Sequence, residues 1–236
     1  MRTGEAGAAL NHEGKAAAAY RLIEQMIVWQ ELPPGSLVSE KLLMDLTDLG
    51  RTPVREAVQR LSRERMVTVY PNRGILVPRT SVEDQLRRLE LRRPLDCLAV
   101  SLACRRATEE QRGAMAALAE RLERNEFTLK EYAETVRETH ELIVDSAHNE
   151  YLADAMAPLQ GLSRRFWIGH VHDEEQEIAT GGNLHRAMLG AITEGDDEAA
   201  QAYSRALNDY LTDFALSTLR GGPEHRTRQG TPQASV

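Results

Sequence analysis

From Ser81 to about residue 219 the chain runs through some 140 residues of helical periodicity with no strand-like alternation to interrupt it. That stretch can bury its apolar stripes only helix against helix, so it constrains the fold more than any other feature of the sequence. Helix-start signals punctuate it: Ser81 to Asp84, Thr108 to Gln111 and Thr128 to Glu131 each pair a hydroxyl residue with a polar partner three positions on. Helical patterns follow at about 82–105, 108–126, 128–147, 150–172, 180–194 and 197–219. The expectation is an antiparallel all-α bundle of about six helices over 80–220.

The preceding residues have a different texture. Tyr20, Leu22, Ile23, Met26 and Ile27 repeat at helical spacing from Lys15 to about Trp29, and Pro33-Pro34-Gly35 ends that helix. Ser39-Glu40 opens a second helix through Leu46, with Leu42, Leu43 and Leu46 expected on its inner stripe. Thr52-Pro53 reads as N-cap and first-turn proline of a third helix reaching about Met66. Its apolar face is Val54, Ala57, Val58 and Leu61. Two β-rich runs, Val67–Tyr70 and Ile75–Val77, flank Pro71-Asn72-Arg73-Gly74 and predict a small hairpin. Three short helices and a hairpin are the order of a winged helix-turn-helix, spanning 15–79. Residues 1–14, small and polar, and the tail 221–236 are expected to be disordered.

Charge follows the same division. The chain carries a formal net charge of −7, which excludes a protein that coats nucleic acid over its whole surface. Residues 15–80 hold ten basic and seven acidic side chains, so this segment is +3 within an otherwise acidic chain. Between Arg51 and Arg79 there are seven Arg against Glu56 and Glu64. The outer face of the third helix carries Arg51, Thr52, Arg55, Gln59 and Ser62. Guanidinium groups suit both guanine edges and phosphates, and a helix N-terminus adds free N–H groups for a phosphate. Arg73 at the hairpin tip has the reach for a groove or backbone contact, and Gly74 permits close approach.

The segments Leu32-Pro33-Pro34-Gly35-Ser36-Leu37, Arg51-Thr52-Pro53-Val54-Arg55-Glu56-Ala57-Val58-Gln59-Arg60-Leu61 and Asn72-Arg73-Gly74-Ile75-Leu76-Val77 resemble the DNA-binding domain of the GntR family of bacterial transcription regulators. Gly50 stands where that pattern usually has Ser. The resemblance implies DNA contacts from Lys41, Arg51, Thr52, Arg55, Arg73 and Gly74. The helical half is similar to the FCD ligand-binding domain of the FadR subfamily, through Glu90–Asp96, Thr139–Ile143, His148–Leu152, His185–Met188 and Ala191–Asp196. It implies a homodimer on a double-stranded, pseudo-palindromic operator, with an organic-acid effector in the bundle changing DNA affinity, most commonly by relieving repression.

Many proteins of that subfamily hold a divalent metal with one Asp and three His. The resemblance places His140 and His185 on two ligand positions, but Val136 and Leu207 on the other two, with Asn208 and Asp209 beside the latter. His170 or His172 could supply a further ligand to a Zn or Ni ion; two residues apart on a helix, at most one faces the cavity. The alternative is a metal-free pocket in which Arg92, His140 and His185 hold an anionic, acyl or aromatic ligand. Arg92 also stands at i, i+4 to Asp96, where a plain helical ion pair would occupy it. Trp167 and Phe166 are expected in core or interface, and Tyr210 is a candidate hydroxyl for the cavity.

An enzyme has little support. His140-Glu141-Leu142-Ile143-Val144 stops one residue short of the H-E-x-x-H zinc motif, and no nucleophile elbow, phosphate loop or C-x-x-C pair is present. A metal-dependent helical hydrolase is the weak alternative. Cys97 and Cys104 are expected to be reduced thiols, no apolar run approaches a membrane span, and the N-terminus lacks a signal peptide's apolar core. The expected location is the cytoplasm, with no membrane partner.

Overall fold

The computed structural model describes the backbone of residues 3–124 and 126–220, and the side chains of 14–124 and 126–219. The first unit contains α1 (Thr3–Val28), β1 (Leu37–Val38), α2 (Glu40–Thr47), α3 (Arg51–Arg63), β2 (Thr68–Tyr70) and β3 (Gly74–Leu76). Ala19, Ile23 and Ile27 repeat every fourth residue on α1 and meet Val54, Ala57, Val58 and Leu61 of α3, with Leu43 from α2 between them. Val67, Ile75 and Val77 close the core from the hairpin. Each such side chain, removed from water, stabilises the fold by roughly 1.5–3 kcal/mol before entropy is counted.

Several local expectations are corrected here. Only Leu43 and Thr47 of α2 are buried, whereas Leu42 and Leu46 are 41% and 51% exposed. One i, i+4 stripe is all that an eight-residue helix lying on a neighbour can hide. The N-cap of α3 is Gly50, so Thr52 and Pro53 lie inside the first turn, where a missing proline N–H costs no bond. That helix ends at Arg63, and Arg65 turns the chain at φ 62°. The sheet has three strands in the order β1-β3-β2, since Leu37 and Val38 pair with Leu76 and Ile75. Two residues are too few to show alternation in the sequence. The closeness of β1 also accounts for Gly74: at φ 123°, a Cβ there would sit 2.9 Å from the Val38 carbonyl oxygen. The stretch 1–14, expected to be disordered, is helical from Thr3 onward as the start of α1, in keeping with its alanines. The expected disordered tail 221–236 lies outside the described residues.

The second unit is the expected bundle: α4 (Val82–Arg106), α5 (Glu109–Arg124), α6 (Leu129–Ser146), α7 (Glu150–His170), α8 (Glu174–Glu194) and α9 (Asp197–Arg220). Ser81 caps α4 by accepting from the Asp84 N–H at 3.1 Å. Thr108 and Gln111 exchange bonds at 3.0 and 3.2 Å, and Thr128 with Glu131 forms a complete capping box. α8 starts six residues before the expected 180, because Asp173 caps it by accepting from Gln176 N–H. Three acidic residues then suit its positive end. Arg112 of α5 ties two helix ends together, donating to the Ile192 and Thr193 carbonyls at 2.6 and 3.0 Å and to that of Cys104 at 2.7 Å. Cys97 and Cys104 are free. Among the described residues no helix is long and apolar enough to cross a membrane.

The two cores meet along α7. Leu162 and Ile168 pack against the first core, and Ile168 also touches the second. Arg165, 2% exposed, donates from Nη2 to the Pro78 carbonyl in the connecting segment at 2.5 Å. A Cβ added to Gly161 would come within 2.8 Å of Met66 Cε and 3.0 Å of Glu24 Oε1, so α1 and the hairpin lead-in lie directly on this helix.

Candidate functional site

The first candidate surface is the outer face of α3. Val54, Ala57, Val58 and Leu61 anchor the helix inward, which turns Arg51, Thr52, Arg55 and Gln59 to solvent. Lys41 on α2 and Arg73 at the hairpin tip are exposed as well, and Gly74 is half-buried beneath Leu37. Because Gly50 brings no side chain, no side-chain cap covers the first N–H groups of α3. A helix start of this kind, flanked by Arg51 and Arg55, accommodates a phosphate oxygen. Arg55 is not loose. Its Nε lies 2.9 and 3.1 Å from the two Glu40 carboxylate oxygens. Glu40, at the start of α2, is a positioning residue that the sequence did not reveal.

The second candidate is a cavity of about 50 Å³ inside the bundle. Arg92 from α4, Val136 and His140 from α6, His185 from α8, and Leu207 and Tyr210 from α9 all line it. Gln160, Ser163, Arg164 and Trp167 of α7 add a wall at i, i+3, i+4, i+7 spacing. The effector-site residues singled out in the sequence, Arg92, His140 and His185, therefore converge on one space. His140 Nε2 and His185 Nε2 are 3.2 Å apart, and His185 Nδ1 lies 2.7 Å from the Gly181 carbonyl oxygen. A ring nitrogen facing a carbonyl must carry the proton, so His185 Nε2 is an acceptor and His140 Nε2 donates to it. Burial pushes His140 well below the ordinary imidazole range, with the neighbouring His185, Arg92 and Arg164 acting in the same direction. His185 is pushed down to about 4, again chiefly by burial. Both rings are neutral at neutral pH.

Arg92 combines both roles considered for it. It faces the cavity, and its Nε and Nη2 each lie 3.1 Å from Asp96 Oδ2. Burial raises the Asp96 carboxyl, opposed by Arg92 and Gln160. Trp167 belongs to the cavity wall; its Nε1 donates to Tyr210 Oη at 3.1 Å, and that hydroxyl in turn donates to Glu177. Phe166 is core, stacked on His170 at 4.2 Å between centroids. Gln160, Ser163 and Arg164 were missed. Their common face on α7 was readable as a spacing, but nothing in the sequence said which face of that helix met a cavity.

The donor set does not fit a resident divalent metal. Two imidazole nitrogens 3.2 Å apart could share an ion, but Val136 and Leu207 fill the walls where further ligands would stand. His170 Nδ1 is 2.7 Å from the Phe166 carbonyl and does not line the cavity; His172 is exposed. Asn208 is buried elsewhere, donating to the Leu89 carbonyl at 3.2 Å, and Asp209 is paired with Arg93 at the surface. Among the described residues no group of three or more His, Cys, Asp or Glu could hold a metal ion.

Comparison with known proteins agrees with both halves. Residues 15–77 match the family of bacterial regulatory proteins, gntR family, and residues 88–209 match the FCD domain. The chain is 28% identical over 198 residues to the Nta operon transcriptional regulator of Aminobacter aminovorans, covering 83% of this chain and 92% of that one. It is 25% identical over 195 residues to the HTH-type transcriptional repressor GlaR of Escherichia coli K12, covering 79% and 89%. Among solved structures, E. coli McbR/YncC shares the fold at a TM-score of 0.74 and 18% identity, over 87% of this chain and 98% of that one. A winged helix with an arginine-rich outer face, joined through α7 to a helical domain with a buried cavity, is thus matched along both parts of its length, and the chain belongs to the gntR family of bacterial transcription regulators, in its FCD-domain branch.

Proposed function

We propose that this regulator is a repressor that binds a pseudo-palindromic operator as a homodimer and releases it when a carboxylate-bearing metabolite occupies the cavity. The observation that carries the reading is the meeting of Arg92 and Arg164 with neutral imidazoles and aromatic rings in one space, whose α7 wall also supports the DNA-binding unit. Guanidinium groups in a poorly hydrated cavity bind carboxylates by charge-assisted hydrogen bonds. The names of the relatives, an operon regulator and a repressor, point the same way. Leu91 and Leu98, seven apart on α4 and 51% and 43% exposed, offer a stripe for self-association. Two α3 helices related by a dimer axis would enter successive major grooves, with Lys41, Thr52 and the start of α3 on phosphates and Arg51, Arg55 and Arg73 reaching further in. In this reading the protein catalyses no reaction and the cavity works without a resident metal.

The test starts from an operator selected out of random duplex DNA. Fluorescence anisotropy with that duplex should show binding that weakens as a carboxylate series, from succinate to benzoate, is titrated at constant ionic strength. Operator binding indifferent to every carboxylate would overturn the effector assignment. Plasma mass spectrometry after equilibration with Zn and Ni should find no stoichiometric metal; one ion per chain would overturn the metal-free reading.

A further inference from the structure

Each cavity arginine already has a carboxylate, and the two pairs are not equally secure. Arg92 places two nitrogens on Asp96, one turn away on the same helix and wholly within the bundle. Arg164 places a single nitrogen, Nη2, on Glu24 Oε1 at 2.9 Å, and Glu24 lies on α1 of the DNA-binding unit. Arg164 also lines two spaces. With Gln160 and Ala133 it forms the partition between the cavity and a wider cleft of about 550 Å³ that runs between α1 and the α6–α7 pair. An anion entering the cavity must draw on a guanidinium, and the one held by a single bond across the interface yields first.

We propose that Arg164 is a latch: a carboxylate in the cavity takes its guanidinium from Glu24 and so frees α1 of the DNA-binding unit from α7. The proposal rests on the effector reading above. Its driving force is the condition of Glu24 after the exchange. Burial and the nearby Glu64 already disfavour the charged form of Glu24, and Arg164 is the leading counterweight. A half-buried carboxylate stripped of its partner is costly, and opening the cleft to water relieves that cost. Glu24 stands one turn beyond Tyr20, whose hydroxyl donates to Glu64 Oε2 at 2.6 Å. Glu64 accepts from Arg60 Nε of α3 at 2.9 Å, and the Arg60 guanidinium lies 3.9 Å over the Tyr20 ring. The latch thus sits one helical turn along α1 from a bonded cluster of Tyr20, Glu64 and Arg60 that reaches α3.

The experiment is a linkage measurement on the full chain. If Glu24 competes with the ligand for Arg164, Glu24→Gln should bind succinate or benzoate at least about fivefold more tightly than the wild type by calorimetry. Its operator affinity without ligand should fall toward that of the ligand-bound wild type. Glu141→Gln, in the same cleft but paired with Arg137, removes the same charge and should show neither effect. Arg164→Met should lose carboxylate binding, and hydrogen exchange over residues 15–28 should be as fast in it as in Glu24→Gln. Tighter binding in both glutamine variants alike would reduce the effect to general electrostatics and overturn the latch. So would wild-type binding of a carboxylate that Glu24→Gln leaves unchanged, while the effector reading would stand. A wild type that binds neither probe would overturn the effector reading, and the latch with it.

Discussion

The arginines of α3 and those of the cavity have the same chemistry in opposite surroundings. Arg55 is 58% exposed beside Glu40, whereas Arg92 is 3% exposed beside Asp96. In water an ion pair contributes little to stability, so an exposed arginine such as Arg55 can give up its partner at little cost. In the bundle the same pair is a structural commitment, because either member left alone is a buried charge. A surface can therefore gain or lose reading residues cheaply, while a cavity arginine can change partners only where another unit of the protein supplies the second carboxylate. Arg164 is the one that meets that condition.

The contrast is sharpest for Arg92→Met, which should destabilise the fold by about 3–5 kcal/mol in urea titration, since Asp96 remains buried without its cation. A loss below about 1 kcal/mol would put Arg92 in the same class as Arg55. Arg112→Ala removes the staple on three carbonyl oxygens and should cost about 1–3 kcal/mol by the same measurement. Arg55→Ala should leave stability within about 1 kcal/mol of the parent yet lower operator affinity by about 1–3 kcal/mol, with a shallower salt dependence if phosphate is its partner. Unchanged operator affinity would remove α3 from the interface. Smallest is Arg87→Ala, which breaks two exposed pairs at the start of α4, with Glu83 at 2.6 Å and with Asp84 at 3.6 Å; a shift of about 0.5 kcal/mol or less is expected.

Legibility in the sequence followed the same line. Arg51, Arg55 and their apolar counterface lie within eleven consecutive residues, Arg51 to Leu61, and a helical period sorts them into two faces at once. The six bundle helices were readable because their caps are local. β1 was not, because two residues gain strand character only from Leu76 and Ile75, some forty positions away. Nor was the pairing of Arg164 with Glu24, separated by 140 positions. His140 and His185 could be picked out by resemblance, but their 3.2 Å contact and the apolar closure by Val136 and Leu207 are products of tertiary packing.

The grip of Arg165 on the Pro78 carbonyl bears on how such regulators diverge. With Gly161 against Met66 and Ile168 shared between two cores, the halves of this chain are fitted parts, not interchangeable modules. A chimaera that grafts 15–77 of a distant relative onto this bundle inherits a recognition surface intact but a foreign joint. Such a hybrid should recognise its donor's operator and yet respond to no ligand until the residues facing α7 are matched as a set.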